Sequence, residues 1–194
     1  MSRIAIDALR PTQFTLGFDE VAKRKAKFLA ADAATREAAI LDKAVPHVVG
    51  PDAVPYIVDH HHFVRLAWEA GLVEVELGEC LADLRTLSQP DFWKVMERDG
   101  RCWPIDAEGN RRPLAKMPTH VSQLTANPWR DLARKVRGEA FEDLDTPYQE
   151  FKWGNYFRSF MTRRLLEVDF DRACKLAIRL AALDEAQDLP GWRP

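Results

Sequence analysis

Apolar positions change their spacing twice between residues 45 and 81, VPHVVGPDAVPYIVDHHHFVRLAWEAGLVEVELGECL. Val45–Val49 and Val54–Val58 are short apolar runs divided by Gly50-Pro51-Asp52, which predicts strand, turn, strand. After Asp59 the period becomes helical: Phe63, Leu66, Ala67 and Ala70 fall at i, i+3, i+4 and i+7. Gly71 is placed to stop that helix. Val73, Val75 and Leu77 then alternate with polar or small residues, as in a half-buried strand.

The flanks are simpler. Ile4, Ile6 and Ala8 alternate loosely and predict an opening strand over residues 3–9, ended by Arg10-Pro11. The loop behind it carries Thr12, Gln13 and Thr15. Residues 18–43 lack Pro and Gly and predict two helices, one starting at Asp19 and one near Thr35–Lys43. Past Leu81 the spacing favours helices: Pro90–Glu97 after Ser88, Trp129–Arg137 behind Asn127-Pro128, Tyr148–Leu166 behind Thr146-Pro147, and Val168–Leu183. Thr119 is the expected cap for residues 121–124. Between these, residues 99–118 are turn-rich and predict a short hairpin or ordered loop. The chain thus divides into an α/β core over residues 1–86 and a mainly helical part over 87–194, packed on it.

Candidate chemistry concentrates where a strand hands over to a helix. Asp59 is the predicted N-cap, and the first helical turn offers unpaired N–H groups and the positive end of the helix dipole, a seat for phosphate. Imidazoles at 60, 61 and 62 diverge by about 100° each on a helix, so one metal ion cannot take all three. The i, i+4 histidine spacing of a zinc helix is absent, and His47 and His120 stand far away in sequence. The alternatives are a metal site that His47 or His120 joins from elsewhere, one buried structural histidine with two exposed ones, or phosphate contact through His61 and His62.

The residues Y-I-V-D-H-H-H, followed by A-W-E-A-G and V-E-V, resemble the ParB/sulfiredoxin-like fold and within it the ParB-like nuclease family with a DHHH signature. The opening IDALRPTQFTLG (residues 6–17) and F-K-W-G-N-Y-F-R at Phe151–Arg158 resemble the same family. The resemblance implies an α+β fold: a small mixed sheet with flanking helices, then a mainly helical C-terminal part. In that superfamily the matching motif, D-G-H-H-R, holds nucleotide phosphates. Asp59, His61 and His62 agree with it, His60 stands at the glycine and Phe63 at the arginine, with Arg65 a half-turn on as a substitute. Sulfiredoxin chemistry is not implied, because its cysteine is replaced by His61. The G-E-R-R box and helix-turn-helix of partitioning ParB proteins are missing. In kinase members an early glutamate serves as base; Glu20 is the nearest acidic residue, and its position matches only loosely.

Composition narrows the expectation. With 194 residues, 46% hydrophobic, the chain buries a sizeable core. A net charge of -2 supplies no global basic field for nucleic acid, although Arg134-Lys135-Arg137 and Arg163-Arg164 are local clusters. Three scattered cysteines suit a reducing cytoplasm, and no apolar run is long enough for a membrane span. The family resemblance and the helix start at Asp59 together imply nucleotide binding, with ATP or ADP and Mg²⁺ as cofactors, and phosphoryl transfer to a small acceptor or nucleotide hydrolysis. In it Asp59, His61 and His62 act on the reaction. His60, Arg65, Gln13, Thr15 and Arg158 contact the nucleotide. A ParB-type DNA-associated protein or nuclease is the alternative.

Overall fold

The computed structural model describes residues 2–144 and 146–194. They form an α+β fold in two compact units that divide after Thr125.

The first unit is built on a four-stranded mixed sheet. It contains β1 (Ser2–Ala5), a 3₁₀ turn at Ile6–Ala8, β2 (Thr15–Leu16), α1 (Phe18–Ala30) and α2 (Ala33–Asp42). Then come β3 (Val45–Val49), β4 (Pro55–Ile57), α3 (His61–Glu69), β5 (Glu74–Asp83) and α4 (Gln89–Arg98), with further 3₁₀ turns at Leu114–Lys116 and Val121–Gln123. The sheet order is β1-β5-β3-β4. β3 and β4 form the expected hairpin, with His47 opposite Ile57. β5 lies parallel to β3, and α3 belongs to the crossover that parallel strands require.

The sequence periods explain most of these elements. Val45, Ile57 and Val75 face one apolar cluster with Phe63, Val64, Leu66 and Ala67 of α3. Val48 and Tyr56 face another, with Phe92, Trp93 and Met96 of α4. That second cluster ties residues 87–117 to the sheet, so the compact unit extends beyond the composition shift near residue 86. Gly71 ends α3 in the left-handed region, φ 83°, where a side chain would be strained. The opening segment leaves the sheet early: Ile6 turns inward, 1% exposed, in a 3₁₀ turn where an extended strand was expected.

Caps differ from expectation at three helix starts. Gly17 and not Asp19 precedes α1, and Asp32 caps α2 by accepting from Thr35 N–H. At the third, residues 121–123, the cap is His120 and not Thr119; the Thr119 N–H goes instead to Gln123 Oε1. Ser88 caps α4 as its sequence position implies.

The second unit is helical: α5 (Pro128–Val136), α6 (Gln149–Arg158), α7 (Arg163–Val168) and α8 (Phe170–Ala181). Asn127 caps α5. The single helix expected over 148–166 is two, because Thr162 adopts an extended conformation before α7. Ser159 and Thr162 are residues whose hydroxyls favour helix ends over helix interiors. Gly154 lets α6 approach α5, since a Cβ there would stand 2.9 Å from the Trp129 backbone. Trp153 is fully buried, stacked on Phe141, and its Nε1 donates to Pro190 O at 2.8 Å.

Candidate functional site

The strand-to-helix turn begins with His60, which N-caps α3 in the left-handed region at φ 62° and ψ 18°. This corrects the reading of Asp59 as the cap. Asp59 sits one residue earlier, and its Oδ1 accepts the His60 N–H at 2.6 Å without reaching the first turn of α3. No side chain caps that helix. A left-handed residue followed by a right-handed one turns successive N–H groups to one side, a shape suited to an anion. It also explains why glycine fits position 60 in the D-G-H-H-R pattern. Here the histidine holds that backbone, and its Nδ1–H donates to Ala44 O at 3.0 Å.

His61 points the other way. It is 3% exposed, and its Nε2 accepts the Thr12 N–H at 3.2 Å. Thr12 Oγ1 donates to Ile57 O at 2.6 Å and lies 3.4 Å from the same nitrogen. An acceptor nitrogen requires the ring proton on Nδ1, so the imidazole is neutral. Burial pushes its pKa down to about 4; the Asp59 carboxylate pulls weakly upward and His60 pushes down. His61 thus ties the loop after β1 to the start of α3. Gln13 and Thr15 in that loop are buried, and Gln13 Nε2 donates to Thr15 O at 2.8 Å.

His62 is half-buried and faces α1. Its Nε2 stands 3.5 Å from Glu20 Oε2, and Glu20 also pairs with Arg24. The structure places beside the histidines Glu20, which the family resemblance matched only loosely and which was not among the expected site residues. Its side chain is 9% exposed. A partly sheltered carboxylate next to an imidazole is an acid–base pair able to hold or pass a proton.

Arg65 and Phe63 belong to the packing. Phe63 is 5% exposed and meets Phe28 edge-on in the core. Arg65 is 9% exposed: its Nε donates to Glu69, its Nη1 to the carbonyls of Val121, Ser122 and Leu124, and its guanidinium lies over Phe18 and Trp68. Glu69 completes the ladder with Lys25 at 2.5 Å. Burial pulls the Glu69 pKa upward, but hydrogen bonds from Lys25 and Arg65 outweigh it and leave the pKa lowered. Arg158 lies on α6, in the second unit, half-buried. Among the described residues no group of three or more His, Cys, Asp or Glu is placed to hold a metal ion. Nor is any helix among them long and apolar enough to cross a membrane.

Comparison with known proteins agrees with the DHHH resemblance. The model of the family described as "Putative ParB-like nuclease" matches residues 2–159. The crystal structure of protein Atu1540 from Agrobacterium tumefaciens is similar over 99% of this chain and 97% of that one, at 35% identity and a TM-score of 0.88. No curated protein matches.

Proposed function

The chain belongs to the ParB-like nuclease family just described, and from that premise we propose that it binds a nucleotide by its phosphates at the start of α3 and acts on the phosphoryl group. One observation carries the reading: α3 starts from a left-handed His60, without a side-chain cap, next to the Glu20–His62 pair. Open N–H groups at a helix start favour an anion, and the dipole adds to them. His62 donates to a phosphate oxygen, and Glu20 receives the proton of an acceptor hydroxyl or water. His61, with Thr12, fixes the turn and stays neutral. Phosphoryl transfer asks chiefly for this kind of positioning and charge placement.

Mg²⁺ suits the donor set only as a partner of the phosphates, with Asp59 as the exposed carboxylate at the turn. When bound it neutralises phosphate charge. ATP and ADP are the nucleotides proposed, and a small hydroxylated molecule is the acceptor. Association with DNA is the second reading. It is favoured by the family's description and by the exposed Arg172, Lys175 and Arg179 along α8, and strongly salt-dependent retention of DNA would support it.

Thermal unfolding with ATP, ADP, AMP or inorganic phosphate, each with and without Mg²⁺, tests the first reading. A ligand at a hundred times its dissociation constant stabilises the folded state by about 2.7 kcal/mol. The expected result is a rise in Tm with one nucleotide, reduced in His62→Ala and in Asp59→Ala. A flat response to every ligand overturns nucleotide binding at this turn.

A further inference from the structure

Away from the histidine triplet, Asp7, His120 and Ser122 form a relay of their own. Ser122 Oγ lies 2.7 Å from His120 Nδ1, and His120 Nε2 lies 3.1 Å from Asp7 Oδ1. Nδ1 also accepts the Ser122 N–H at 3.2 Å, which puts the ring proton on Nε2, facing the carboxylate. The hydroxyl thus meets the basic nitrogen while the carboxylate holds the opposite N–H. Nucleophile, base and orienting anion in hydrogen-bond reach are what an activated serine needs.

A histidine capping a 3₁₀ turn meets a serine two residues on without any chemistry, and the cap accounts for the backbone contact. It does not account for Asp7, which arrives from 113 positions away. Nor does it account for how firmly the corner is held. Buried Arg65 grips the carbonyls of Val121, Ser122 and Leu124, and Trp68 packs edge-on against the His120 ring at 5.7 Å. Ser122 is exposed, and Trp68 beside the imidazole is 37% exposed, an apolar face for a small substrate.

The geometry points to Ser122 as a nucleophile for acyl transfer from small esters, with His120 as base and Asp7 as its orienting carboxylate. Oγ bonds to the ester carbonyl carbon as its proton passes to His120 Nδ1. The adduct then collapses, the carbon–oxygen bond to the leaving alcohol breaks, and that oxygen takes the proton from Nδ1. Water repeats the sequence on the acyl-serine, which releases the carboxylic acid and restores the hydroxyl. Asp7 is exposed, so water screens its attraction for the imidazolium, and Asp7→Asn should slow acylation only about tenfold.

The test is acylation of the full chain by p-nitrophenyl acetate, with the adduct located by peptide mass mapping. Acetyl on Ser122 is expected. Ser122→Ala and His120→Gln should both abolish it, and a fluorophosphonate probe should label the same serine. An unmodified Ser122 with no release of p-nitrophenol above the Ser122→Ala background, or acetylation that proceeds equally fast in His120→Gln, overturns the proposal. Nucleotide-induced stabilisation should be unchanged in Ser122→Ala, so this proposal and the phosphate reading fail separately.

Discussion

The histidine triplet at the start of α3 and the lone His120 illustrate opposite uses of the same side chain. In the triplet each imidazole is engaged by a different neighbour: His60 by the Ala44 carbonyl, His61 by the Thr12 amide, His62 by Glu20. The three rings brace the turn, and the phosphate chemistry proposed for it draws on backbone N–H groups and on the Glu20–His62 pair. His120 has no histidine neighbours in sequence, yet it stands between a hydroxyl and a carboxylate. A conspicuous run of chemical residues reports a demanding backbone as readily as it reports a reaction. Partners, more than number, decide what an imidazole can do.

Arg65 connects the two regions, and its removal should break both. It is part of α3 and holds residues 121–124 through three carbonyls. Truncating a buried, hydrogen-bonded ion typically costs about 3–5 kcal/mol. Arg65→Ala should lower stability in urea by that order and also slow acetylation of Ser122, because the gripped segment loosens. Arg65→Lys should not restore either, since one ammonium cannot reproduce the planar fork that serves Glu69 and the carbonyls together. Full stability in Arg65→Ala would refute the clamp.

His61 sets the next largest effect, and it separates a structural imidazole from a reactive one. Its folded pKa is about 4, below the unfolded value near ~6.5. The unfolded chain therefore binds the proton first. Stability should fall as pH drops from about 6.5 towards 4, by about 3 kcal/mol across that window, with no slope from this group above it. His61→Asn should flatten that part of the pH profile of urea unfolding. An unchanged profile in the variant would mean that His61 is not the neutral, buried acceptor of the Thr12 amide.

The sequence pattern carried the sheet and α3 well, because local periods and turn residues decide them. Val45–Val58 folds as the expected hairpin, and Gly71 stops the helix where its flexibility allows. Helix starts were less legible. Asp59 has the best capping chemistry, yet the chain turns left-handed at His60, and that conformation has no mark in a non-glycine residue. Arg65 is placed to substitute for a missing phosphate arginine, but its partners are carbonyls some 56 positions away, which no local pattern contains. Glu20 and Asp7 share that difficulty. Glu20 had only a loose match to the superfamily's base and Asp7 had no signal at all; folding sets them 3.5 Å from His62 and 3.1 Å from His120.

The smallest effect sharpens the comparison most, because it asks whether the triplet's work lies in side chain or backbone. At φ 62° an alanine bears a strain of roughly 1–2 kcal/mol that glycine avoids. His60→Gly gains that relief and loses the bond to Ala44 O, worth about 1 kcal/mol, so its stability should stay near that of the unaltered chain. His60→Ala should lie about 1 kcal/mol lower than His60→Gly. If phosphate is held by the N–H groups of the turn, His60→Gly keeps its nucleotide-induced rise in Tm. If that rise disappears while stability holds, the imidazole at 60 is itself a ligand contact, and the turn is then more than a frame for Glu20 and His62.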